Sequence, residues 1–154
     1  MVLRDRARKA PDLIVVNTHL RYGERFAIQC VERLRAIIGK EVKKYPRAEV
    51  VLMGYMNHDR TSKVYAALAG GAGAAPADGG PRLMDTFDYS QKGPREAWGN
   101  YHGFTGRARG IWPTDLIFVR GVMTHSAAEL VRDKSAEGRY PSDHFFVWTT
   151  LTPK

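Results

Sequence analysis

The chain has 154 residues, 44% hydrophobic, 26% charged and 10% aromatic, which excludes disorder and suits one domain rather than a multidomain enzyme. Lys plus Arg number 24 against 16 Asp plus Glu, a net charge of +8, which favours a polyanionic partner or a phosphorylated substrate without separating nucleic acid from a small phosphate ester. The single Cys30 excludes an internal disulfide framework and a multi-cysteine zinc site. No window approaches 18 uninterrupted apolar residues, and charges crowd Met1 to Lys9 where a secretory signal would be apolar, so the chain reads as cytoplasmic with no membrane partner.

Leu13 to Asn17 is a short β-branched run, apolar on both sides, and predicts a central strand buried on both faces. Ala27, Val31, Leu34, Ile38 and Val42 then recur at helical spacing, with Glu32, Arg33, Arg35, Lys40, Lys43 and Lys44 between them, and predict an amphipathic helix ending before Pro46. Glu49 to Met53 is again a short apolar run. Residues 13 to 53 therefore read as strand, helix, strand, a crossover unit with its helix laid on a sheet.

Thr61 and Ser62 can cap a short helix through Leu68. Gly70 to Gly80, with five Gly and four Ala, reads as a flexible surface loop; it lacks the Lys-Ser/Thr ending and the following helix of a phosphate cradle. Residues 89 to 112 mix Gly93, Gly99, Gly103, Gly106 and Gly110 with Tyr89, Trp98, Tyr101, Phe104 and Trp112, a long loop of functional composition. Asp115 to Val119 and His144 to Leu151 predict two further strands, with a segment from Val122 to Val131 between them. No repeat, heptad or second domain is present.

The polar residues fall at strand ends, where a sheet gathers non-adjacent strands into one rim. His19, Asn57, Asp115, Asp143 and His144 would form a cluster of two imidazoles, two carboxylates and an amide, able to hold a hard metal and to orient a water beside a carboxylate-supported imidazole. By position alone, Asp143 also suits a turn residue bonded to local backbone, His19 a structural histidine, and Asn57 with His58 and Asp59 the opening of the next helix.

Asn17-Thr18-His19-Leu20, Gly54-Tyr55-Met56-Asn57, Tyr101-His102-Gly103-Phe104, Thr114-Asp115-Leu116-Ile117-Phe118-Val119 and Tyr140-Pro141-Ser142-Asp143-His144-Phe145 occur in order over nearly the whole chain. The set resembles the endonuclease/exonuclease/phosphatase superfamily, the DNase I-like fold, and within it the bacterial metal-dependent hydrolase branch. The resemblance implies an α/β (α+β) class and a four-layer α/β sandwich, of which residues 1 to 154 would be a single domain holding only the C-terminal half. It implies hydrolysis of phosphomonoesters or phosphodiesters with Mg²⁺ or Mn²⁺, as a phosphodiesterase, nuclease or phosphatase. The alternative is an inactive relative that binds phosphate or nucleic acid or serves as a scaffold.

By motif position His19 resembles the histidine that contacts the scissile phosphate and helps the leaving group, and Asn57 the amide that orients phosphate or nucleophile. Asp115 matches the carboxylate supporting His144, which would help activate water or stabilise the transition-state charge. Asp143 matches a metal-ligating carboxylate. Asn17, Tyr55, Asp59 and His102 are further candidates. Tyr55 stands where the family's Gly-Asp-Phe-Asn motif has its catalytic aspartate, and a phenol is a poor neutral-pH base and a poor Mg²⁺ ligand. With the family's N-terminal half and its metal-binding glutamate lacking a counterpart, the expectations are weak or absent metal binding, reduced activity, and a homodimer covering the exposed sheet face.

Overall fold

A computed structural model describes residues 1–4, 12–69, 80–87, 98–120 and 124–152. In chain order the elements are β1 (Val2–Leu3), β2 (Leu13–His19), α1 (Glu24–Lys44), β3 (Glu49–Tyr55), α2 (Lys63–Ala69), β4 (Met84–Asp85), β5 (Asp115–Arg120), β6 (Thr124–His125), β7 (Glu129–Val131), β8 (Phe146–Trp148) and β9 (Leu151–Thr152). Five strands form one sheet in the order β1-β2-β3-β5-β4, while β6 pairs β9 and β7 pairs β8. Among the described residues only β2 and β3 run parallel, joined through α1 as the crossover pattern predicts.

Register sets up the site. Asn17 stands beside Met53 and His19 beside Tyr55 on β3, and across β3 these meet Ile117 and Asp115 of β5. His19, Tyr55 and Asp115 thus lie in one row at one end of the sheet, with side chains on one face. Gly54 permits this register: at φ +134° its missing Cβ would collide with the Thr18 carbonyl oxygen. The pairing runs past the strand ends, as Leu20 N donates to Tyr55 O at 2.9 Å and Met56 N to Thr114 O at 2.7 Å.

On the opposite face the helices close the main core. Ala27, Val31 and Ile38 of α1 pack with Ile14, Val50, Leu52, Leu116 and Phe118, and Val64 and Leu68 of α2 join them. Leu34 and Val42 sit at the margin of this core. Arg35, which the sequence places on the polar face, is instead buried, because its guanidinium donates to Leu68 O at 3.0 Å and Pro81 O at 3.2 Å and so ties α1 to the segment after α2. The cap of α2 follows expectation: Ser62 Oγ accepts from Tyr65 N at 3.1 Å, and Asp59 Oδ1 accepts from Thr61 N at 2.8 Å.

Three expectations need correction. In β2 only Ile14 is fully buried, since β2 lies next to the short edge strand β1; the central strand with a continuously buried run is β3. The last predicted strand is divided: His144 makes an isolated bridge to Tyr101, and β8 and β9 pair with different partners. The Val122 to Val131 segment is two short strands, β6 and β7, with residues 121–123 outside the described part. The predicted Gly-rich loop lies outside the described residues at 70–79, as does part of the second loop at 88–97.

The sheet face away from the helices is only partly open. Val51 and Val119 are buried there, with Leu13, Ile117 and Leu151 packed beside them, while Phe146 and Trp148 of β8 remain about half exposed. Among the described residues no helix is long and apolar enough to cross a membrane. Cys30 is a free, exposed thiol.

Candidate active site

The row His19, Tyr55, Asp115 forms one wall of a cavity of about 570 Å³. Asn17, Ser142, Asp143 and His144 also line its polar part, and Met53, Ile117, Phe146 and Val147 its apolar part. His144 reaches the row because the Tyr101 bridge and the Phe145 N to Asn100 O bond at 2.8 Å fix the segment before β8 against the loop before β5.

His144 Nδ1 lies 2.7 Å from Asp115 Oδ2, with both side chains largely buried. Asn100 Nδ2 donates to the same carboxylate oxygen. The Asn100 Oδ1 accepts from Thr114 N at 2.8 Å and Thr114 Oγ1 at 3.2 Å, which orients the amide so that its NH₂ faces Asp115. A carboxylate oxygen only accepts, so His144 carries its proton on Nδ1 and leaves Nε2 as the basic nitrogen.

The second imidazole has the opposite polarity. Asn57 Nδ2 donates to Leu20 O at 2.7 Å and lies 3.0 Å from His19 Nε2. The carbonyl fixes the NH₂ end of the amide, so His19 Nε2 accepts and Nδ1 holds the hydrogen. One imidazole is thereby a base and the other a donor. Asn57 adopts φ +56°, a left-handed conformation that asparagine tolerates and that ends the strand alternation after Tyr55.

Tyr55 stands between them, its ring centroid 5.0 Å from that of His19 and 4.7 Å from that of His144. Burial, then the charge of Asp115 and lesser contributions from Tyr101 and Asp143, raise the phenol above its ordinary pKa, while a hydrogen bond with Thr114 acts in the other direction. The hydroxyl is therefore neutral at physiological pH.

Of the sequence candidates, His19, Asn57, Asp115, Asp143, His144, Asn17 and Tyr55 gather around this cavity. Asp59 does not: it lies outside the cavity lining, and its Oδ1 accepts from Thr61 N and, at 2.6 Å, Thr61 Oγ1. His102 is fully buried behind the cavity wall, stacked on Phe145 at 4.1 Å and edge-on to Tyr140 at 4.7 Å. Its Nδ1 accepts from Gly106 N at 3.3 Å, a loop-building role. The Asp143 carbonyl accepts from His102 N at 2.8 Å and Gly103 N at 3.0 Å, long-range bonds to the loop before β5 rather than the local backbone bonds of the turn reading.

Sequence reading missed Asn100, whose sole signal is its place directly before Tyr101-His102-Gly103-Phe104. Its loop is pinched at the base: Arg109 N donates to Tyr101 O at 2.6 Å, and a Cβ on Gly99 would collide with Gly110 O. That closure brings Asn100 under Asp115.

The donor set does not fit a divalent cation. Asp115 Oδ2 is shared between His144 and Asn100, and the Asn57 amide presents its NH₂, a group that cannot ligate a cation, to His19 and Leu20. Asp143 is then the one cavity carboxylate without a hydrogen-bond partner among the described residues. No three His, Cys, Asp or Glu side chains among the described residues group to hold a metal, whereas Mg²⁺ and Mn²⁺ favour octahedral oxygen coordination.

The sequence matches no protein-family model and no curated protein. Solved structures do match. An endonuclease/exonuclease/phosphatase from Bacteroides vulgatus aligns with a TM-score of 0.69 at 20% identity, over 99% of this chain and 54% of that one. A mannosyl-6-phosphatase from Bacteroides thetaiotaomicron aligns with a TM-score of 0.67 at 19% identity, over 92% and 52%. TDP2 from D. rerio, complexed with a single-strand DNA product, aligns with a TM-score of 0.61 at 20% identity, over 92% and 56%. The chain spans about half the length of these structures, and its α/β fold is the corresponding part of the DNase I-like fold.

Proposed function

We propose that the cavity binds a phosphate ester and hydrolyses it slowly by attack of water. The observation that carries this reading is the opposed polarity of the two imidazoles: His144, with Asp115 and Asn100 behind it, offers a basic Nε2, and His19, held by Asn57, offers an Nδ1–H. His144 Nε2 takes a proton from water as the water oxygen forms its bond to phosphorus. The bond from phosphorus to the leaving oxygen breaks while His19 Nδ1–H donates a hydrogen bond that stabilises the charge developing on that oxygen, which then takes its proton from solvent as the His144 imidazolium returns its own to solvent. Asp115 keeps the His144 ring oriented and stabilises the imidazolium that forms. The net charge of +8 supports an anionic substrate. The fold similarity to a phosphatase and to TDP2 supports the same class.

A second reading, binding without turnover, is favoured by one specific feature: the chain's donor set does not fit the divalent cation that the resemblance implies. Hydrolysis of p-nitrophenyl phosphate and bis-p-nitrophenyl phosphate, each with EDTA, Mg²⁺ or Mn²⁺, decides between them. Release of nitrophenol above the buffer rate, lost in His144→Ala, is expected. Binding of either ester with no release in any arm would leave the second reading.

A further inference from the structure

We propose that Tyr55 is the phosphate-binding residue of this cavity: its neutral phenol donates to a phosphoryl oxygen from the sheet position where the resemblance puts an aspartate, so that the chain binds a phosphate anion without a divalent cation. The inference rests on the reading that the cavity takes phosphate esters and adds how it does so.

Tyr55 is in the middle of the polar row, flanked by both imidazoles, and lines the cavity. Between two rings the phenol is packed from both sides, so its hydroxyl is held at little further entropic cost when a ligand arrives. An aspartate at 55 would instead add a third carboxylate beside Asp115 and Asp143 and repel phosphate unless a cation intervened. With tyrosine there, the Tyr55 hydroxyl and the His19 Nδ1–H join the Asn17 amide and the Ser142 hydroxyl as donors lining the cavity, and its one carboxylate without a hydrogen-bond partner among the described residues is Asp143.

This assignment makes opposite predictions from a metal site in two respects. For a metal ligand, Asp143→Asn weakens phosphate binding; here it removes a like charge and tightens it. For a metal site, Mg²⁺ is required; here it is not.

Calorimetric titration of the full chain with inorganic phosphate and with phenyl phosphate, in EDTA and in Mg²⁺, tests this, with thermal melts to verify folding. Wild-type protein should bind in EDTA, with affinity changed less than about twofold by Mg²⁺. Tyr55→Phe, which keeps the ring and loses only the hydroxyl, should weaken binding about tenfold or more, the effect of removing a hydrogen bond to a charged acceptor. Asp143→Asn should tighten it several-fold, and Tyr55→Asp should abolish binding in EDTA and restore it with Mg²⁺. Unchanged affinity in folded Tyr55→Phe, or wild-type binding that requires Mg²⁺, would overturn the role of Tyr55 while leaving the phosphate-ester reading intact. Absence of binding in every arm would overturn both.

Discussion

The Asp115 oxygen that lies 2.7 Å from His144 Nδ1 is also the oxygen to which Asn100 donates, so one carboxylate atom fixes an imidazole while an amide fixes the carboxylate. Asp115→Asn keeps the shape but presents an amide that can turn its NH₂ toward His144 and invert the tautomer. Turnover of a phosphate ester should fall about 10²-fold or more, with a melting temperature within a few degrees of wild type. Equal turnover in the two proteins would make the pair a structural contact.

Asn100→Ala removes the support behind that pair. It leaves Thr114 N without its 2.8 Å acceptor and takes from Asp115 one of its two donors, in a residue only 1% exposed. Stability should drop by about 1–3 kcal/mol, and the pH–rate profile should shift, because the Asp115 charge that governs His144 has lost a hydrogen bond. Chemical denaturation and a pH–rate profile measure the two effects; a stability loss with an unmoved profile would confine Asn100 to loop closure.

Gly54→Ala should be among the most damaging single substitutions. The added methyl meets Thr18 O in the parallel β2–β3 pairing, at a φ of +134° that alanine disfavours. A loss of about 3 kcal/mol or more is expected, with His19 displaced from Tyr55. A melt unchanged from wild type would show that the two strands are not in this register.

Tyr65 predicts an alkaline weakness away from the site. Its hydroxyl donates to Asp85 Oδ2 at 2.9 Å, and burial, followed by the Asp85 charge, raises its pKa well above the ordinary phenol value. A raised pKa means the folded state holds the proton more tightly than the unfolded one. This contribution is full below pH of about 10 and declines as pH rises toward the folded value, by at most about 1.4 kcal/mol per pH unit. Denaturation at pH 8, 10 and 11 should therefore show a shallower alkaline decline in Tyr65→Phe than in wild type; parallel declines would remove Tyr65 as a contributor.

What was legible in the sequence is what period and strand-end position encode. The Ala27, Val31, Ile38 stripe and the apolar runs around Val15, Val51 and Phe118 marked α1, β2, β3 and β5, and the residues at their ends marked the rim. Arg35 was misplaced because a long side chain can be buried by carbonyl acceptors that lie 33 and 46 residues away. Asn100 left no trace because its role depends on loop closure and on the bridge that brings His144 to Tyr101, both long-range events. His102 and Asp59 show the converse: a titratable residue inside or beside a motif can be spent on stacking or on a helix cap.

The most direct test of the site is the imidazole NMR spectrum of the five histidines during titration with phenyl phosphate in EDTA. His19 and His144, which line the cavity, should shift together in a saturable manner, while His102, sealed behind Phe145, should not move. Saturable shifts at His102 or His125 with His19 and His144 unmoved, or no shift at any histidine, would contradict a phosphate-ester site built on this pair.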